Sequence, residues 1–306
     1  MNITFKQLRL FLALADTGSV SAAARAMHVT QPTASMQLRE ITESVGIALY
    51  EVISRQVYLT DAGQHLARTA RAIVDEWETF GQTINGMKGL TRGRLRVAVV
   101  STAKYFVPRL LGSFCERYPD IEISLQVLNR DGVLQRLRDN LDDLYVMSMP
   151  PGDIDLEDQT FLANPLVLIA AAGHPLAAKQ TCPIQALQQE RFLLRERGSG
   201  TRLATERFFQ EQGFEPSLFL ELGSNEAIKE AVAGHLGVAV ISRHALRPDE
   251  PGKELCILPV TGLPIRSQWH VVHPRAKQLS PIAQVFREHL LQEAKRWPVS
   301  TGLLPV

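Results

Sequence analysis

The chain has 306 residues, with 33 Lys and Arg against 32 Asp and Glu and a hydrophobic fraction of 45%. These values fit about two globular domains and exclude a collagen-like repeat, a disulfide scaffold or a largely disordered chain. The longest apolar run, residues 166–172, is too short to cross a bilayer, Met1-Asn2-Ile3-Thr4-Phe5 carries no export signal, and Cys115, Cys182 and Cys256 lie too far apart for a zinc site, so a cytoplasmic chain with no membrane, metal or cofactor is expected.

Phe5, Leu8, Leu12 and Ala15 recur at helical spacing, which predicts a helix over 4–16, stopped by Thr17-Gly18. Ser19 caps a second, alanine-rich helix from Ser21 to Met27. Thr30 caps a third, with Pro32 tolerated in its first turn. Ala34, Leu38 and Ile41 give that helix a buried face, while Gln31, Thr33, Met36, Gln37 and Arg39 make a polar outer one. Two short helices joined by a tight turn, the second rich in hydrogen-bonding side chains, form a helix-turn-helix. Gln and Thr read base edges, and Arg39 and Arg55 hold phosphate. The first 60 residues carry a net charge of only +1, so positive charge must act locally. Residues 49–59 read as a small hairpin that places Arg55 beside the recognition helix.

Leu66, Ala70, Ile73, Trp77, Phe80, Ile84 and Met87 alternate steps of four and three, the stripe of a helix that pairs with its own copy. Lys88-Gly89-Leu90-Thr91-Arg92-Gly93 breaks it and marks a domain boundary. Beyond it, strands at 95–99, 121–127, 144–149, 166–171, 192–195, 218–222 and 238–241 alternate with helices, which predicts parallel sheets in two lobes, with a last helix over 280–297 closing the first. The stretches Ser101-Thr102-Ala103-Lys104, Gly198-Ser199-Gly200-Thr201-Arg202 and Gly223-Ser224-Asn225 fall at strand-to-helix junctions, where amides, hydroxyls and cations suit a carboxylate or phosphate. No phosphate-loop or nucleophile-elbow motif is present. His270 and His273 point to opposite faces of a strand, and Asp142-Asp143 and Asp153-x-Asp155 read as solvated loop charges.

Residues 5–51, with Ala22-Ala23-Ala24, Thr30-Gln31-Pro32-Thr33-Ala34-Ser35 and Leu59-Thr60-Asp61-Ala62-Gly63, resemble the N-terminal domain of LysR-type transcriptional regulators, and the likeness runs along the whole chain. It implies a winged helix-turn-helix (1–59), a dimerising linker helix (60–90) and a two-lobed effector domain like periplasmic binding proteins (91–306). Lobe I would take about 91–163 and 268–306, and lobe II about 164–267. It also implies a tetramer built as a dimer of dimers, promoter DNA as partner, and RNA polymerase as a further one. Within the family, Ser101 to Phe106, Phe192 to Glu196, Gly198 to Arg202, Leu222 to Lys229 and Trp269 to His273 resemble the regulators of the RuBisCO (Calvin-cycle) operon. That subgroup activates carbon-fixation genes and responds to small phosphorylated metabolites; the regulators of bicarbonate transport are closely similar.

Carried onto this sequence, Thr30, Gln31, Pro32, Thr33, Ser35, Arg39 and Arg55 would contact DNA, and Leu66, Ala70, Ile73, Trp77, Phe80 and Ile84 would dimerise. Ser101, Thr102, Lys104, Asn129, Arg130, Met149, Thr201, Arg202 and Asn225 would line the effector cleft. The chain departs from the family at Ile41-Thr42, at the single wing arginine Arg55 and at Met147-Ser148-Met149-Pro150-Pro151. Two other classes remain open on the residues alone. A two-lobed α/β enzyme with a helical accessory domain needs a catalytic set that the sequence does not display, and a transporter's solute-binding protein sits poorly with the heptad helix.

Overall fold

Thr4 starts the first helix with a reciprocal cap. Its hydroxyl accepts from the Gln7 N–H, and the Gln7 side chain accepts from the Thr4 N–H. The helix α1 (Phe5–Thr17) ends at Gly18, whose left-handed backbone (φ 62°) lets its N–H reach the Leu14 carbonyl. Helix α2 (Val20–Ala26) is capped by Ser19, and a turn at His28 leads into α3 (Gln31–Val45). Thr30 holds the extended N-cap backbone, but its hydroxyl does not cap the helix; it pairs with the Thr33 hydroxyl at 2.8 Å. A hairpin, β1 (Tyr50–Ile53) with β2 (Gln56–Leu59), precedes the long helix α4 (Asp61–Met87). Gly63 sits where α4 presses on the chain entering the hairpin. A Cβ there would lie 1.9 Å from the Leu49 carbonyl oxygen, so only glycine fits.

The computed structural model describes residues 2–54, 56–87, 93–247 and 253–297, without the side chains of 82, 83 and 85–87. The chain divides into two units, Met1–Leu90 with Asp139–Leu141 and Thr91–Arg138 with Asp142–Val306. In the first, Phe11, Leu14, Ala23, Ala34, Leu38 and Ile41 close a helical core. Ala23 and Ala24 are fully buried, and their small side chains let α1 and α2 approach closely. The apolar stripe of α4 splits in two. Leu66 and Ala70 are spent on this core, whereas Ile73, Trp77 and Phe80 stay 45%, 63% and 55% exposed. Leu66 and Ala70, expected in the self-pairing stripe, pack instead on their own domain, because the first turns of α4 cover it.

Among the described residues, the second unit holds three sheets in two lobes. One has the order β4-β3-β5-β12-β6, built from β3 (Gly93–Val100), β4 (Ile121–Leu128), β5 (Leu144–Met147), β6 (Leu156–Ala163) and β12 (Gln268–Pro274). Helices α5 (Val107–Arg117), α6 (Arg130–Arg138) and α9 (Pro281–Ala294) belong to the same lobe. The other lobe contains β7 (Leu166–Ala171) between β10 (Ala239–Ser242) and β11 (Leu255–Ile257), and a parallel pair, β8 (Arg191–Arg195) with β9 (Ser217–Leu222). Helices α7 (Gly200–Glu211) and α8 (Asn225–Ala233) cover it.

Two expectations are corrected here. The sheets are mixed: β12 runs antiparallel to β5 and β6, and β7 runs antiparallel to β10 and β11. The chain steps directly from β6 into β7 across residues 164–165, with no helix between them, and returns through 265–267. Asn164 and Leu166 donate their N–H groups to Ser267 and Ile265 carbonyls at 2.8 and 3.0 Å. Asp142 and Asp143 are also not solvated. Both are buried, Asp142 in a forked pair with Arg136 and Asp143 against Arg96, which locks α6 and β3 together. Asp153 and Asp155 are surface charges, paired with Arg138 and Arg275.

Candidate functional site

On α3, Gln31, Ser35 and Arg39 fall at i, i+4 and i+8, so they share one exposed face, flanked by Pro32 and Met36. Thr33 is half-buried and held by Thr30. Gln31 is already aimed: the Ser21 hydroxyl of α2 donates to its Oε1 at 3.0 Å, which leaves the amide NH2 outward to donate. This face has the size and chemistry to enter a major groove. Arg55 lies outside the described residues, so the wing is described only by its strands.

The second site lies between the lobes of the other unit. β3 ends at Val100 and turns at once into a short 3-10 helix, Ser101–Tyr105. β8 ends at Arg195, and Ser199 leads into α7. The cleft is lined by Val100, Ser101, Thr102, Arg130, Ser148, Arg195, Glu196, Ser199, Gly200, Thr201 and Trp269. α7 approaches so closely that a Cβ on Gly200 would meet Ser148 Oγ at 2.6 Å.

Arg195 organises the site. It is only 3% exposed. Its guanidinium donates to Asn225 Oδ1 at 2.9 Å and, across the gap, to Thr102 Oγ1 at 3.3 Å and Ser101 Oγ at 3.2 Å. The Asn225 amide also donates to Thr102 Oγ1, at 3.1 Å. With both lone pairs of Thr102 taken, its hydroxyl hydrogen has no role left except to donate. Among the described residues, only Arg130 Nε, Trp269 Nε1 and Arg287 Nε are buried side-chain polar atoms without a partner, and the first two belong to cleft residues. Burial lowers the Arg130 pKa, but a guanidinium remains charged. The cleft is thus rich in donors seeking acceptors, the character of an anion site.

Of the residues expected in the cleft, Ser101, Thr102, Arg130 and Thr201 line it, and Asn225 braces Arg195 from behind. Four are engaged elsewhere. Arg202 pairs with Glu206 and Glu221 and donates to the Arg195 carbonyl oxygen. Lys104 binds Glu226 at 3.0 Å, beside the Tyr105 hydroxyl on the same carboxylate. Asn129 caps α6 through the Gly132 N–H. Met149 accepts from Arg130 through its carbonyl, while its side chain packs on the core of the second lobe. Burial opposes ionisation of Glu226, but the hydrogen bonds from Tyr105 and Lys104 prevail and hold its pKa down at about 2. Burial, followed by Glu226, raises that of Tyr105. Sequence reasoning missed Arg195, Glu196 and Trp269 as cleft residues. A cation as the last residue of a buried strand was the available signal for Arg195, which stands at the end of Phe192-Leu193-Leu194.

No group of three or more His, Cys, Asp or Glu among the described residues could hold a metal ion. His270 pairs with Asp158, and the His273 ring faces the Pro274 carbonyl. No helix among the described residues is long and apolar enough to cross a membrane.

Comparison with known proteins places both parts of the chain in one family. Residues 5–64 match the bacterial regulatory helix-turn-helix domain of the lysR family, and residues 88–295 match the LysR substrate binding domain. The chain belongs to the LysR family. This LysR-family chain is a DNA-binding transcriptional regulator with an effector-binding domain, not an enzyme. It is 43% identical over 289 residues to the HTH-type transcriptional activator CmpR of Synechocystis, covering 94% of this chain and 95% of that one. It is 41% identical over 302 residues to the RuBisCO operon transcriptional regulator of Allochromatium vinosum, covering 99% and 100%. The regulatory domain of Synechocystis PCC6803 CcmR in complex with 2-PG is 50% identical and superposes with a TM-score of 0.65, over 67% of this chain and 99% of that one.

Proposed function

We propose that this LysR-family chain activates carbon-fixation genes, the RuBisCO operon first among them, in response to a small phosphorylated metabolite bound between the lobes. The observation that carries the effector class is the donor array around Arg195. Ser101, Thr102, Arg130 and Trp269 offer N–H and O–H groups with few acceptors to match, which selects an anion with several oxygens. The 2-PG complex of the CcmR domain is a relative's example of such a ligand. Control of another operon is the second reading, favoured by the equally strong likeness to the activator CmpR.

Gln31, Ser35 and Arg39, with Thr30, Pro32 and Thr33 around them and Arg55 in the wing, read and grip the operator. Ile73, Trp77, Phe80 and Ile84 pair two copies, and two dimers form a tetramer on DNA in the cytoplasm. Residues 1–59 act as reader, 60–90 as linker and 91–306 as sensor. Ligand closing on Arg195 and Ser101 from opposite lobes changes their relative angle, and with it the spacing of the DNA readers. The ligand shifts this equilibrium only by its differential affinity for the two arrangements.

Fluorescence anisotropy of the purified protein on its own upstream DNA, across salt and with 2-PG or ribulose 1,5-bisphosphate, tests both halves. Selective binding whose footprint shifts with a phosphorylated ligand is expected. Selective binding with no response to either ligand overturns the effector assignment; no selectivity over random DNA overturns the regulator.

A further inference from the structure

Arg195 has five N–H donors, and all five are engaged. Three go to Asn225, Thr102 and Ser101, as described. The other two go to the neighbouring residue: Nε to Glu196 Oε2 at 2.7 Å and Nη2 to Glu196 Oε1 at 2.9 Å. This is the parallel fork that a guanidinium makes with a carboxylate or a phosphate. Glu196 itself lines the cleft. Its carboxylate therefore has the charge, the geometry and the place of a ligand's anionic group.

We propose that Glu196 is a built-in counter-anion, which occupies the anion-receiving edge of Arg195 until a more highly charged group displaces it. The proposal rests on the effector-cleft reading above and names what sets that cleft's selectivity. A guanidinium buried as deeply as that of Arg195 cannot be left uncompensated, since an unpaired buried charge costs several kcal/mol. An intramolecular carboxylate removes that cost when the cleft is empty. The two partners differ in freedom. The Arg195 side chain is 2% exposed and pinned by Ser101, Thr102 and Asn225, whereas that of Glu196 is 23% exposed and has solvent to turn into. Displacement thus moves the glutamate and leaves the arginine in place.

Two consequences follow from charge alone. Ligand affinity is a difference, ligand on Arg195 minus Glu196 on Arg195. A monocarboxylate exchanges like for like and gains little, while a phosphate dianion gains on both charge and oxygen count. Selectivity for phosphorylated ligands is then exerted by a competing carboxylate inside the site, an attractive pocket combined with a built-in penalty for weaker anions.

Isothermal titration calorimetry of the full chain with 2-PG, inorganic phosphate and acetate, on wild type and Glu196→Gln, tests this. Glutamine keeps the size and one acceptor but loses the charge. The variant is expected to bind 2-PG about tenfold more tightly, equivalent to about 1.4 kcal/mol. It is also expected to bind acetate measurably, so that the preference for phosphate over acetate narrows. Equal or weaker 2-PG binding, or an unchanged preference, overturns the proposal. Should Glu196→Gln fail to fold, Glu196→Asp, one methylene too short to span the fork, is expected to tighten 2-PG binding about threefold; unchanged or weaker binding there is equally fatal. If the wild type and the folded variant bind none of the three anions, the effector-cleft reading itself falls, and this proposal with it.

Discussion

The Arg202 guanidinium lies behind Arg195, its Nη1 donating to the Arg195 main-chain carbonyl at 3.0 Å. The two arginines thus have different duties. Arg195 turns its side chain into the cleft, while Arg202 supports the backbone that carries it and satisfies Glu206 and Glu221. Arg195→Met is expected to abolish response to phosphorylated ligands and, by stranding Asn225 and Thr102, to destabilise the sensor unit by about 3 kcal/mol. Arg202→Ala is expected to lower thermal stability by about 1 kcal/mol, discounted because its glutamate partners are nearly half exposed, with a smaller loss of 2-PG affinity than Arg195→Met. Calorimetry and thermal melts on both variants separate the duties; an equal loss of affinity would merge them.

Gly200 and Ser148 approach closely in the cleft, 2.6 Å from a would-be Cβ to the Ser148 hydroxyl oxygen. Gly200→Ala is expected to push the start of α7 away and cost about 1–3 kcal/mol through overpacking. Ser148→Gly removes the colliding atom, so the double variant should recover part of both stability and ligand affinity. A double variant no better than Gly200→Ala would show that the strain lies elsewhere.

Glu226 bridges Lys104 and Tyr105 with a pKa of about 2 against an ordinary 4.5. A carboxylate depressed in this way stabilises the folded state above its unfolded value, and the contribution disappears as pH falls from about 4.5 toward 2. Glu226→Gln is expected to melt lower than wild type at pH 7, with the gap closing through that acid window. A gap that stays constant down to pH 2 would contradict this role for the Glu226 carboxylate.

Trp77 sits 5.8 Å from Phe80, ring centre to ring centre, on an exposed face of α4. Burying two such rings against a second copy contributes about 3–6 kcal/mol. Trp77→Glu with Phe80→Glu is therefore expected to weaken dimerisation by at least about a hundredfold, read by sedimentation equilibrium. An unchanged association constant would move the interface off α4.

Gln31 is oriented by Ser21. Gln31→Ala is expected to cost about 1–3 kcal/mol of operator discrimination while leaving non-specific affinity near its starting value. Ser21→Ala should show a weaker version of the same loss, because it removes the aim and keeps the reader. Identical operator preference in Gln31→Ala would take this side chain out of the base-reading set.

The helix-turn-helix and the heptad helix are local objects, and their residues were readable for that reason. Ala34, Leu38 and Ile41 announce a buried helical face by spacing alone, and Gly18 announces a stop by its freedom at positive φ. Strand β6 was not readable. Glu157-Asp158-Gln159-Thr160 in its centre are polar and exposed, so it shows no apolar alternation and becomes a strand only because β12 pairs with it along an edge. The burial of Asp142 was likewise hidden, because it depends on Arg136 meeting it across a turn.

Sequence by itself determined the periodic segments, the polar outer face of α3 and the three hydroxyl-rich junctions, since each depends on residues a few positions apart and on backbone preferences that act locally. Tertiary structure alone decided which of two nearby arginines faces the cleft. Arg195 stands between Leu194 and Glu196 and Arg202 between Thr201 and Leu203, and these neighbours do not say which of the two turns into the cleft. The choice is made by partners distant in sequence: Glu221 draws Arg202 away, while Thr102 and Asn225 hold Arg195 toward the cleft. A charge goes where its compensating groups are, and those are assembled only when the two lobes come together.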